Sequence, residues 1–228
     1  MRVILFGATG MVGQGVLREC LVAPDVSEVL TVGRNATGQT DPKLRELIHA
    51  DMFDYTAIEQ RLAGYDACFF CLGVSSVGMK EEAYRHVTFD LTLAAGRTLA
   101  RLNPTMTFIY VSGENTDSTE QGKRMWARVK GQTENALLQL PFKAVMFRPG
   151  GIEPMHGITS KTKVYRVAIA LGRPLWPVLH RLFPGAVTTS EKVGRAMLRV
   201  AREGSPKPIV NTRDINELTA VVSGATAP

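Results

Sequence analysis

The feature that most restricts what this chain can fold into is a glycine-rich turn set between two different periodicities. Arg2 to Phe6 is a short apolar run of strand character, Gly7-Ala8-Thr9-Gly10-Met11-Val12-Gly13 follows at once, and the sequence then reads as a helix from about Met11 to Leu21. One glycine at such a turn permits positive φ, another lets the backbone come close to a bound group, and the last lets the helix pack on the strand. A helix N-terminus offers unpaired N–H groups and partial positive charge, so this loop suits an anion. In a strand-turn-helix setting the anion expected is the pyrophosphate of a dinucleotide, although the spacing is GxxGxxG rather than GxGxxG. Gly7, Thr9, Gly10, Met11, Val12 and Gly13 are the residues expected to hold it.

Strand-like and helix-like segments go on alternating. Glu28 to Val32, Leu47 to Ala50, Asp66 to Leu72, Thr107 to Val111 and Ala144 to Phe147 read as strands, separated by helices over Asp54 to Leu62, Lys80 to Leu102 and Gly122 to Gln139. That rhythm predicts an α/β fold, a Rossmann-type doubly wound parallel sheet. With 228 residues and 45% apolar side chains, the chain can bury one such sheet but lacks the mass for two ordinary large domains. The expectation is a single dinucleotide-binding domain over residues 1–228 with a small C-terminal helical elaboration. After Arg148 the rhythm breaks, and 151–185 is expected to be an irregular helical substrate or lid region within that domain. Helical pieces are expected near Thr162 to Leu171 and Trp176 to Leu182, then a helix capped by Ser190 to about Arg202, a short strand at Ile209 and Val210, and a frayed tail.

Composition removes several function classes. The longest apolar run, Ala67 to Val74, is far short of the roughly 20 residues that span a bilayer. Met1 leads straight into strand-like sequence, so neither membrane insertion nor an export signal is expected. Three cysteines make no disulfide framework, and Cys68 and Cys71, three apart on a strand, would face opposite sides of the sheet. A reducing, cytoplasmic location follows as the expectation, and no metal site is expected. Residues 1–150 carry 16 Lys and Arg against 16 Asp and Glu, whereas 151–228 carry 11 against 5, so the whole net charge of +6 lies in the last third. Without a DNA-binding motif or interleaved aromatics, this excess reads as solvated helix faces rather than a nucleic-acid site.

The end of the second strand bears on the cofactor. An acid is expected there to hold the adenosine ribose of NAD(H), but the sequence is Thr31-Val32-Gly33-Arg34-Asn35. A guanidinium can bind a 2′-phosphate through paired charge-assisted hydrogen bonds where a carboxylate would repel it, so NADP(H) is preferred and NAD(H) remains possible. The alternative for Arg34 is a solvated loop arginine. Asp51, after the third strand, is placed either to meet the adenine edge or to cap the next segment.

Together these residues resemble the short-chain dehydrogenase/reductase superfamily, in the atypical branch that includes NmrA-like and Tat-interacting-protein-like members. The resemblance spans nearly the whole chain and rests on the glycine loop, Val32-Gly33-Arg34, Cys71-Leu72-Gly73, Tyr110-Val111-Ser112, Trp126 to Glu134, and Arg148-Pro149-Gly150. It implies that Leu72 and Gly73 pass under the adenosine ribose and that Ser112 hydrogen-bonds the substrate oxygen. It further implies that Lys130 holds the nicotinamide ribose and lowers the pKa of a neighbouring acid, and that Pro149 and Gly150 line the nicotinamide pocket. The bland alternatives are a turn cap for Ser112 and a surface lysine for Lys130.

The chain departs from the family pattern at Trp126, where the YxxxK motif places its catalytic tyrosine. An indole N–H only donates and cannot relay a proton as a phenol does. Tyr110 shares a strand face with Ser112 but sits two residues deeper, where packing is the expected role. The leading expectation is an oxidoreductase for a small carbonyl or hydroxyl compound of unknown identity, using Ser112 and Lys130. The alternatives are a non-catalytic dinucleotide-binding regulator with a protein partner and, third, an enzyme of nucleotide-sugar epimerase or dehydratase type. A homodimer through the helices at Lys80 to Leu102 and Gly122 to Gln139 is a further possibility. The basic and aromatic stretch from His156 to Phe183 is either a lid over the substrate or a helical cap with a solvated face.

Overall fold

Seven segments become the strands of one sheet in the computed structural model, which describes residues 1–158 and 176–220. In chain order they are β1 (Arg2–Phe6), β2 (Glu28–Gly33), β3 (Leu44–Ile48), β4 (Ala67–Phe70), β5 (Thr107–Val111), β6 (Lys143–Arg148) and β9 (Ile209–Asn211). Their spatial order is β3-β2-β1-β4-β5-β6-β9, and every pairing is parallel. The order reverses between β1 and β4, which leaves a crevice at the carboxyl ends of these two strands, the usual ligand position in open α/β sheets. This is the Rossmann-type sheet that the alternating pattern predicts.

Helices cover both faces because the strands are apolar on both. Val3, Leu5, Phe69, Ile109 and Phe147 point into one core with helix α1 (Met11–Val22), while Ile4, Phe6, Cys68, Phe70, Phe108 and Tyr110 point into the other. Cys68 and Cys71 therefore lie on opposite faces, as period-2 geometry requires, and both thiols are free. The second core is closed by α2 (Glu59–Leu62), by the helical run α3 (Glu81–Arg85) and α4 (Leu91–Leu102), and by α5 (Met125–Leu138). The expected helix from Lys80 to Leu102 carries a π-helical turn at His86–Asp90 between its two α segments.

The C-terminal part consists of α6 (Trp176–Leu182), α7 (Ser190–Glu203) and α8 (Thr212–Thr219), with a two-stranded parallel sheet, β7 (Gly151–Glu153) and β8 (Val187–Thr189). Helix α7 packs on α1 so closely that a Cβ on Gly15 would stand 2.7 Å from the Ser190 Cβ. Several boundaries differ from expectation. Strand β3 begins at Leu44 instead of Leu47, because an edge strand needs only Leu44 and Leu47 inward and tolerates Arg45 and Glu46 between them. The helix expected from Asp54 shrinks to a 3₁₀ turn at Thr56–Ile58 and the single turn of α2. Thr189, not Ser190, caps α7, its hydroxyl accepting from the Lys192 N–H at 3.1 Å. The expected helix at Thr162 to Leu171, most of the proposed lid and the tail from Ser223 lie outside the described residues.

Candidate active site

The glycine loop is shaped by what its neighbours leave no room for. Gly7 takes φ 78°, and a Cβ there would stand 2.7 Å from the Leu72 nitrogen at the end of β4. A Cβ on Gly13 would run into the Gly7 carbonyl, coming within 2.7 Å of its carbon. The loop closes with the Gly10 N–H on the Gly7 carbonyl at 2.9 Å, and α1 begins its ladder with the Gln14 N–H on the Gly10 carbonyl at 2.8 Å. Gly10 caps the helix without a side chain, and no acid lies in the first turn. The N–H groups of Met11, Val12 and Gly13 thus precede the first intrahelical bond and face no competing carboxylate.

In front of them lies a cleft of about 440 Å³, lined by Gly7 to Met11, Thr31 to Asn35, Thr37, Leu47, Ile48 and Cys71 to Val74. Gly7, Thr9, Gly10, Met11, Arg34, Leu72 and Gly73 meet there, while Val12 and Gly13 sit behind the loop. Arg34 is exposed and, among the described residues, makes no ion pair. Asp51 does not line the cleft. Its carboxylate turns back on its own loop and accepts from the Phe53 N–H at 2.9 Å, the capping alternative of the two expected for it.

A second group of residues gathers at the ends of β5 and β6. Ser112 is buried, its hydroxyl donating to the Phe147 carbonyl at 3.2 Å. Lys130, on α5, donates to the Ser112 carbonyl, and burial brings its ammonium down to about 8, with nearby Glu134 opposing the shift. Glu134 is itself fully buried and is held by Arg148, whose Nε lies 3.0 Å from its Oε1. Trp126, one turn before Lys130, is half-buried. Tyr110 is packed in the core, and burial pushes its phenol far above the ordinary range, so it is no proton donor at the surface of this site.

The sequence reading missed Glu114. Its N–H donates to the Pro149 carbonyl at 2.9 Å, and its carboxylate lies over Gly150, where a Cβ would stand 2.5 Å from Oε2. The turn presenting it has positive φ on both sides, at Gly113 (104°) and Asn115 (63°). Gly150 is also held through its N–H on the Thr212 hydroxyl at 2.8 Å. Next to it, Trp176 stands 3.9 Å from the position of a Cβ on Gly151, and its buried indole N–H has no hydrogen-bond partner among the described residues. Elsewhere, Glu19, His156 and Glu191 bring donor atoms within 4.8 Å of one another, but Arg195 already pairs with both carboxylates, at 3.0 and 2.6 Å, and Arg18 with Glu19.

A side-chain-free cradle, an acid-free helix start and a cleft reaching past β2 fit a dinucleotide laid across the crevice. The fold agrees with that of the Bordetella bronchiseptica enzyme WbmF, solved in complex with NAD+ and UDP, with a TM-score of 0.65 at 16% identity over 92% of this chain and 71% of that one. Among curated proteins the chain is similar to FMP52-2, mitochondrial, of Scheffersomyces stipitis, 25% identical over 94% of this chain and 95% of the relative. It is also similar to FMP52, mitochondrial, of Saccharomyces cerevisiae, 22% identical over 96% and 97%. These mitochondrial relatives overturn the expectation of a cytoplasmic protein, which rested on cysteine count and on the strand-like sequence after Met1, neither of which specifies a compartment. Residues 3–121, more than half of the chain, match the sequence profile of one family and contain the glycine loop, the end of β4 and Ser112. The chain belongs to the NAD dependent epimerase/dehydratase family.

Proposed function

We propose that this protein is an NADP(H)-dependent oxidoreductase of the atypical short-chain dehydrogenase/reductase kind, acting on a small carbonyl or hydroxyl compound. The observation that carries the reading is the cleft itself: a glycine cradle with open helix N–H groups at one end and an arginine without an ion-pair partner among the described residues at the other. Gly7, Gly10 and Met11 would hold the pyrophosphate, Arg34 the 2′-phosphate, and Leu72 and Gly73 the adenosine side. When bound, the dinucleotide supplies a hydride donor or acceptor.

The chain's own residues do the rest. Lys130 spends one of its three ammonium donors on the Ser112 carbonyl and keeps two for ribose hydroxyls. Ser112 gives its hydrogen to Phe147, which leaves the oxygen lone pairs to accept from a substrate hydroxyl. Pro149 and Gly150 would border the nicotinamide. A thermal-shift titration with NADP(H) and NAD(H), followed by assays of cofactor turnover on a carbonyl and alcohol panel, tests the reading. A larger shift with NADP(H) and turnover above background support it; equal shifts remove the NADP(H) preference, and binding without turnover removes the enzyme.

Trp126 favours a second reading, a dinucleotide-binding protein that regulates a partner without catalysis. It predicts cofactor-dependent capture of one partner, lost in G10V, with no turnover of any panel compound.

A further inference from the structure

We infer that Glu114 is the proton acceptor of this site and that the substrate is an uncharged alcohol, which the protein oxidises. The inference rests on the oxidoreductase reading and deepens it. A dinucleotide whose pyrophosphate lies on the β1 loop and whose adenosine end lies toward β2 must send its other end over β4 to β6, where Glu114 stands. The other polar groups there are unable to take a proton from a substrate. The Trp126 indole N–H only donates, Tyr110 is buried, and Lys130 is already an ammonium below about pH 8 and is tied to the Ser112 carbonyl.

Glu114 differs from all of these. Its carboxylate has no hydrogen bond or ion pair among the described residues, yet its backbone is fixed by the Pro149 carbonyl and by positive φ at both neighbours. Gly113 takes positive φ at little cost, but at the non-glycine Asn115 it costs energy and persists where the surrounding structure imposes it, often beside a site of chemistry. Gly150 is what admits the carboxylate, since any Cβ there would collide with Oε2 and with the Ala186 carbonyl, each at 2.5 Å. The indole N–H of Trp176, against Gly151 and without a partner among the described residues, is a donor beside the same strand end. A carboxylate at this place repels acidic substrates and accepts a hydrogen bond from a hydroxyl.

In the step, a Glu114 oxygen takes the O–H proton of the alcohol, the C–O bond becomes C=O, and the carbon gives up its hydrogen with both electrons to the oxidised nicotinamide. The carboxyl then returns its proton to solvent. The same negative charge near the nicotinamide favours the oxidised, positively charged ring over the reduced one.

The test compares wild type with E114Q, E114D and E114A, measuring NADP+ and NADPH affinity together with oxidation of a panel of neutral secondary alcohols. E114Q is expected to lose oxidation by at least about 100-fold and to weaken NADP+ about threefold to tenfold relative to NADPH. E114D should keep part of the rate, and formate should restore part of it to E114A. Oxidation by E114Q within threefold of wild type overturns the assignment, as does an unchanged NADP+/NADPH affinity ratio. A wild type that binds NADP+ but oxidises none of the alcohols sinks the oxidoreductase reading as well. In that case the affinity ratio in E114Q still decides whether the carboxylate stands beside the nicotinamide.

Discussion

The two ends of the crevice are built from different materials. Over β1, β2 and β4 the candidate site is backbone and empty space: N–H groups of α1, and glycines at which a methyl group would strike main-chain atoms. Over β5 and β6 it is made of side chains, with Lys130 on the Ser112 carbonyl, Glu114 over Gly150, and Trp126 one turn before Lys130 on α5. Main-chain atoms are the same in every sequence, so the first end is insensitive to most substitutions and intolerant of a few. Side-chain chemistry can be exchanged while the fold stands, and Trp126, where the resemblance implies a tyrosine, would be such an exchange.

The sharpest way to break the backbone-built end is a single methyl group. G13A sets a Cβ against the Gly7 carbonyl, and because both sides are main chain the loop must open to relieve it. The cofactor-induced rise in melting temperature is expected to vanish, a loss on the order of 10³-fold in affinity or about 4 kcal/mol. Retention of wild-type affinity would mean that the loop is not the anion cradle. The matching change at the side-chain-built end is W126Y. Placing a phenol one turn from Lys130 should raise turnover about 10²-fold while cofactor affinity stays within about twofold. A variant no faster than wild type would show that Glu114 already serves the proton transfer, that this step does not limit the protein, or that no carbonyl or alcohol is its substrate.

The same contrast decides what could be read in advance. Strands β1, β2, β4, β5 and β6 are legible because parallel strands buried on both faces leave unbroken apolar runs, and the loop is legible because its glycines are spelled out. Strand β3 shifts by three residues because an edge strand, paired only to β2, has no such run. The β7–β8 pair escapes notice because three residues each, Gly151–Glu153 and Val187–Thr189, are too short to show a period. Helix α8 does carry a readable signal, a capping box between Asn211 and Asp214. Glu114 is hidden for a different reason: Asn115, a non-glycine at φ 63°, makes the turn that presents it, and no composition rule marks that position. A glutamate two residues beyond Ser112 and next to a glycine is the one hint the sequence holds.

A gentler substitution tests whether the adenosine end uses any side chain at all. Arg34 is exposed at the rim of the cleft, so R34A should leave the fold untouched and weaken NADPH by roughly tenfold, about 1.4 kcal/mol, while NADH changes little. Isothermal titration with both cofactors measures the difference directly. Equal losses for the two would return Arg34 to the role of a solvated loop residue and leave the first end of the crevice purely backbone-built.

The smallest expected effect is a pH dependence that runs in opposite directions for the free and the bound protein. Burial holds the Lys130 ammonium near 8, whereas in the unfolded chain it titrates near 10.4. Between these values the unfolded state binds more protons, so stability rises with pH; below about 8 the full penalty of the buried charge is present. Relative to K130M, which lacks the group, the melting temperature of wild type should climb from pH 8 to 10. The gain is on the order of 1 kcal/mol, or roughly 2–4 °C in a chain of this size. The rise produced by NADPH should fall over the same interval, because a neutral amine is a poorer donor to ribose hydroxyls and no longer attracts the phosphates. If the difference between wild type and K130M stays flat from pH 8 to 10, the ammonium is not desolvated at all. If the free-protein curve climbs but the NADPH effect holds steady, Lys130 is buried without touching the cofactor, and the side-chain-built end begins at Ser112 and Glu114 instead.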